Sequence, residues 1–229
     1  MNTRSLMAAL FSLPLILLLA ASPSPAQSSP PAAPAPETAV AYEGKPDAFG
    51  RNLIVVFSLT GNTLKLAKTI QQKTGGDLYE IRTTTKYPTG DDLIPFAKDE
   101  MMEKKPVEFL PPEADFGPYD TIFFGTPAWF HDIPYPVDVY LSRTDFLGKR
   151  VVPFVTSGGG PGESVASLSA AIKNGMVDEA LLISRYAAQP REDIENAVNS
   201  WLNKLSGAAS PPEEAPLPAA SDSPAPAGK

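Results

Sequence analysis

Three apolar runs constrain this chain more than any other feature. Residues 52–57 (Asn-Leu-Ile-Val-Val-Phe), 120–125 (Asp-Thr-Ile-Phe-Phe-Gly) and 150–156 (Arg-Val-Val-Pro-Phe-Val-Thr) are continuous and rich in β-branched and aromatic side chains. Strands read this way when both faces are buried, as in a parallel sheet covered by helices on each side. Helical spacing follows each run. Leu64, Leu66, Ala67 and Ile70 form a helix face that stops near Gly75-Gly76, and Leu78 to Ile81 alternates as a short strand. Asp91-Asp92 opens a helix through Leu93, Phe96, Ala97 and Met101 that ends by Pro106, and 134–143 forms a short helix with Pro near its start. Val165, Leu168, Ala171 and Ile172 mark another helix, 180–183 a last strand, and Ile194, Val198, Trp201, Leu202 and Leu205 a closing helix. This alternation predicts an α/β fold with right-handed crossovers, a five-stranded parallel sheet and helices on both faces.

Proline marks where that domain starts and stops. Of 26 Pro, eight fall in residues 1–50 and six in 206–229, which leaves twelve for residues 51–205. The middle stretch has the size of one domain, ~100–150 residues. Residues 1–26 read as an export signal: Arg4 precedes an apolar run from Leu6 to Ala21, and Ser24 and Ala26 supply the small residues before a cleavage site. Pro14 interrupts the run, which is a poor membrane span, so no stable anchor is expected after cleavage. The expected location is periplasmic or secreted. Residues 27–50 and 206–229 are Pro/Ala-rich, lack large apolar groups, and are expected to be disordered, as a linker and a tail.

Several chemistries are excluded early. With no Cys and one His, thiolate chemistry and His-rich zinc sites have no ligands, and no Ser-His-Asp set is supported. Lys and Arg number 16 against 20 Asp and Glu within 51–205, with no basic block, so nucleic acid is not expected as a partner. The carboxylate pairs Asp91-Asp92, Asp178-Glu179 and Glu192-Asp193 fit capping and solvation near helix starts and turns.

The chemistry sits in the loops after the three apolar runs, where open parallel sheets bind ligands. Ser58, Thr60, Asn62 and Thr63 place four hydrogen-bonding side chains in six residues just before a helix, and Gly61 permits a tight turn. Free N–H groups at a helix start, together with the helix dipole, cradle a phosphate. Ordinary capping is the competing account, but it needs only one or two such residues. The loop lacks Gly-Lys-Ser/Thr and Gly-x-Gly-x-x-Gly, which excludes the triphosphate and dinucleotide fingerprints.

Ser-x-Thr-Gly-Asn-Thr after a buried strand resembles the phosphate signature of the flavodoxin family. Gly125-Thr126-Pro127-Ala128-Trp129-Phe130 is similar to the second flavin loop of a branch with a Trp there, and Thr156-Ser157-Gly158-Gly159-Gly160-Pro161-Gly162 to the third. The resemblance implies a flavodoxin-like three-layer sandwich with sheet order 2-1-3-4-5 and FMN as cofactor. It also implies that Ser58, Thr60, Gly61, Asn62 and Thr63 hold the phosphate. Trp129 or Phe130 would lie against the flavin ring, with Thr126, Pro127 and Ala128 beside it. Ser157, Gly158, Gly159 and Gly160 would let the backbone approach the ring edge. His131 stands where relatives often have Gly, which puts one-electron tuning in question. It reads as a loop residue or as a proton donor. The implied function is an exported FMN-binding electron carrier with an unknown redox partner, a protein or a quinone-like small molecule. An FMN-dependent NAD(P)H:quinone-type reductase and a cofactor-free binding module are the alternatives.

Overall fold

The computed structural model describes residues 40–44 and 47–207. The proposed export signal, most of the leading Pro/Ala segment and the tail from residue 208 lie outside the described residues. The chain runs β1 (Asn52–Phe57), α1 (Asn62–Thr74), β2 (Asp77–Ile81), α2 (Leu93–Glu103), β3 (Thr121–Pro127), α3 (Tyr135–Arg143), β4 (Arg150–Ser157), α4 (Ser164–Ala171), β5 (Met176–Val177), β6 (Leu181–Ser184) and α5 (Arg191–Ser206). The sheet has the order β2-β1-β3-β4-β5, β6 also pairs with β4, and every one of these pairings is parallel. This is the expected flavodoxin-like order.

The fifth position departs from the single strand expected at 180–183. Two short strands share it, joined by residues 178–180. Asp178 pairs with Arg150, and the Glu179 carbonyl accepts the Trp201 indole N–H at 2.9 Å. Glu179 also forms an ion pair with Lys204. The Asp178-Glu179 pair is therefore structural.

Period-two alternation divides the core into two layers. Leu53, Val55, Phe57, Ile122, Phe124, Val151 and Val155 face α3 and α4, where Val137, Leu141 and Leu168 meet them. Ile54, Val56, Phe123, Val152 and Phe154 face α1 and α5, where Leu66, Ala67, Ile70, Ile194, Val198, Trp201 and Leu202 meet them. Burying each such side chain stabilises the fold by ~1.5–3 kcal/mol. Every residue of β1 is buried, as its unbroken apolar run required. The sheet is a rigid platform. Its strand ends aim the three loops at one edge.

The segment before β1 is held more firmly than its composition suggests. Val40 N–H donates to Asn196 Oδ1 at 3.0 Å, and Glu43 N–H to Asn203 Oδ1 at 2.8 Å. Asn199 and Asn203 in turn donate to the carbonyls of Val40 and Ala41. Phe49 is buried in the second core layer. Within the segment read as a linker, residues 40–43 and Phe49 thus pack on the domain.

Candidate functional site

The start of α1 is built by a glycine. Gly61 occupies the N-cap position at φ 85°, in the left-handed region open to glycine, and no side chain caps the helix. Its carbonyl accepts the first helical bond, from Lys65 N–H at 2.9 Å. The N–H groups of the first turn are left facing the cleft without a side-chain partner, as an anion site requires. The first turn also carries no acidic residue. Capping by the Ser, Thr and Asn of this loop does not occur.

Ser58, Thr60, Asn62, Thr63, Pro127, Ala128, Trp129, Ser157 and Gly158 line one cleft of ≈ 170 Å³ at the carboxyl ends of β1, β3 and β4. The sheet thus brings together residues from all three loops. Two of them are fixed from below. The Thr63 hydroxyl is buried and shares a hydrogen bond of 2.8 Å with the Thr156 hydroxyl. The Ser157 hydroxyl donates to the Gly159 carbonyl at 2.7 Å and accepts Gly159 N–H at 3.1 Å, which folds the glycine loop back on itself.

Other expected site residues stand apart from this lining. Thr126 is fully buried under the cleft, its hydroxyl donating to the Pro127 carbonyl at 3.1 Å. Phe130 is 39% exposed at the rim. Gly159 and Gly160 also lie outside it, Gly160 facing the His131 ring. Of the aromatic pair, Trp129 alone borders the cleft.

The second loop is a tight reversal. Trp129 and Asp132 exchange backbone hydrogen bonds at 2.8 and 2.9 Å, and the two residues between them have positive φ, 52° at Phe130 and 65° at His131. Two left-handed residues in a row suit a two-residue hairpin turn, where Asn-Gly is the favoured sequence. The third loop locks this strained turn. Glu163 N–H donates to the His131 carbonyl at 2.8 Å. Gly162 comes so close that an added Cβ would sit 2.2 Å from that carbonyl oxygen. His131 therefore acts here through its backbone.

Sequence reasoning missed an aromatic support behind Trp129. The Trp129 ring meets Phe57 edge-on at 5.8 Å and Tyr87 at 6.0 Å. Tyr87 also meets Phe96 at 5.5 Å and donates its hydroxyl to Glu100 Oε2 at 2.8 Å. Glu100 is 2% exposed. Burial holds its carboxyl above the ordinary range, opposed by the Tyr87 hydroxyl and Lys105. Burial and the neighbouring carboxylate push the Tyr87 phenol upward too, keeping it a donor at neutral pH. Leu59, Leu93, Thr156 and Tyr186 complete the cleft lining. An aromatic in the Thr-rich stretch after β2 was the available sign of Tyr87. No spacing rule ties that stretch to Trp129.

A family model described as flavodoxin matches residues 51–205. No curated protein matches the chain. A putative flavoprotein from Bacteroides eggerthii is 26% identical with a TM-score of 0.53, covering 68% of this chain and 98% of that one. A putative flavoprotein from Bacteroides uniformis is 28% identical with a TM-score of 0.52, covering 64% and 96%. A flavoprotein from Lactobacillus acidophilus, solved in complex with FMN, is 23% identical with a TM-score of 0.51, covering 58% and 92%. That last likeness is one of fold.

Proposed function

Because the chain belongs to the flavodoxin family, we propose that it is an exported redox protein that binds FMN at the 58–63, 126–130 and 157–160 loops and transfers electrons through it. The observation that carries the reading is the convergence of the three loops on the start of α1, with Gly61 in the left-handed region and hydroxyl and amide side chains around it. An uncapped helix start costs stability, and a bound dianion offsets that cost by taking the free N–H bonds. The residues fit the phosphate on these grounds.

Bound FMN would supply the electron-transfer chemistry. The chain's part is anchoring, orientation and exclusion of water. Ser58, Thr60 and the α1 amides would hold the phosphate, Thr63 being fixed against Thr156. Trp129, braced by Phe57 and Tyr87, would offer its ring to the flavin. A cleft of ≈ 170 Å³ is smaller than the ~300–1,000 Å³ of pockets that enclose a whole ligand. Part of the flavin would stay open to a redox partner. Export rests on the residue pattern of 1–26.

Adding FMN to the purified mature protein tests the reading. A shifted flavin absorption band and quenched fluorescence at one equivalent are expected, and an unchanged spectrum would overturn it. NADH or NADPH oxidation with a quinone then separates carrier from reductase. A carrier shows no rapid turnover.

A further inference from the structure

Trp129 borders the cleft, but one of the rings that hold it belongs to a separate excursion of the chain. After β2 the backbone pairs with a later segment. Leu110 N–H donates to the Arg82 carbonyl at 2.8 Å, and Thr84 N–H to the Glu108 carbonyl at 2.9 Å. These bonds close the base of a loop, residues 85–107, that carries Tyr87 and α2. Leu93, the first residue of α2, lines the cleft, whereas Tyr87 and Glu100 do not. Tyr87 is held by α2 at two points: Phe96 meets its ring edge-on at 5.5 Å, and Glu100 Oε2 accepts its hydroxyl at 2.8 Å. Phe96 and Glu100 are four residues apart, so one helix face supplies both contacts. Burying a carboxyl is costly where an apolar residue would pack instead. Its bond to Tyr87 adds what apolar packing lacks, a preferred direction.

We infer that Tyr87 is a positioning residue for the flavin: anchored by Glu100, it fixes the plane of the Trp129 ring and, through that ring, the contact with isoalloxazine. The inference rests on the FMN reading of the cleft and concerns the flavin ring, not the phosphate. Trp129 receives two edge contacts, from Phe57 at 5.8 Å and from Tyr87 at 6.0 Å, with ring planes at 70° and 73°. The turn that follows sets its backbone, since Trp129 and Asp132 exchange both hydrogen bonds. Its side chain is then oriented by the two rings. Phe57 is fully buried at the end of β1 and is a fixed wall. Tyr87 stands on a loop, so its ring is a wall only while the Glu100 bond and the Phe96 contact hold it.

Fluorescence titration of the mature protein with FMN and with riboflavin, alongside visible circular dichroism of the bound flavin, tests this on four variants. Tyr87→Phe keeps the ring and loses the bond. It should weaken both flavins by the same ~3–10-fold, the worth of one aromatic contact or hydrogen bond, and change the dichroism. Glu100→Leu should reproduce that change, and Glu100→Gln, which keeps an acceptor of the same shape, should not. In a Trp129→Leu background, Tyr87→Phe should alter neither affinity nor dichroism, because the ring it positions is gone. Tyr87→Phe or Glu100→Leu binding flavin as the unaltered protein does, with the same dichroism, overturns the inference. A Tyr87→Phe effect that persists without Trp129 also overturns it, by showing a general loss of packing. Weakening of FMN but not riboflavin assigns Tyr87 to the phosphate and overturns it too. Binding of neither flavin by the unaltered protein overturns the FMN reading and this inference with it.

Discussion

Phe130 and His131 hold left-handed backbone angles that neither side chain favours, and their strain of ~1–3 kcal/mol each is borne by the bonds that close the turn. Since the His131 carbonyl, not its ring, takes the Glu163 N–H, a glycine there keeps the bond and relieves the strain. His131→Gly is expected to leave urea stability unchanged or raise it by about 1 kcal/mol. Gly162→Ala, which drives a Cβ into that carbonyl, should lower it by about 2 kcal/mol or more. The reverse order would show that the turn is not strained. In the cradle, Ser58→Ala should weaken FMN by about 1.5–3 kcal/mol and leave riboflavin alone, as read by fluorescence titration. The cradle residues were recognisable because their chemistry is local: four polar side chains and a glycine lie within six positions of sequence. The Thr63 partner was not, because Thr156 lies 93 residues further on.

At the scale of elements, β1, β3 and β4 announced themselves because burial on both faces writes an unbroken apolar run. The split fifth strand did not. Met176 is 63% exposed, so no apolar pattern marks it. The strap at 40–43 was hidden for a different reason. Its hold comes from asparagines on α5, spaced three and four residues apart along one helix face, and not from its own composition. Asn203 is fully buried and bonds both Ala41 and Glu43, whereas Asn196 makes one bond to the strap, to Val40. Asn203→Ala should therefore cost about 2–3 kcal/mol in urea denaturation, and Asn196→Ala about 1 kcal/mol. Equal small losses would mean that the strap rests loosely on the helix.

For the molecule as a whole, a buried acid behind the site ties stability to pH. The folded state raises the Glu100 carboxyl, chiefly by burial, above the ~4.3 of an unfolded chain. The proton's stabilising contribution is complete below that unfolded value and is lost as pH rises through the raised one. The stability of the protein minus that of Glu100→Gln should then fall as pH rises from the unfolded value through the raised one. A flat difference would show that the carboxyl is not perturbed. The parallel sheet and loop placement were readable from the sequence at this scale, since alternating strands and helices admit few arrangements, and the sheet order came from the family resemblance. The Trp129–Tyr87–Glu100 support was not, because side chains from three separate segments meet only after folding.

The central claim is that the uncapped start of α1 grips the phosphate of FMN. The affinity ratio of FMN to riboflavin, which differ only in that phosphate, measures the grip directly. Two or more charge-assisted bonds at about 1.5–3 kcal/mol each predict that FMN binds at least ~100-fold more tightly. Equal affinities for the two flavins would contradict the account.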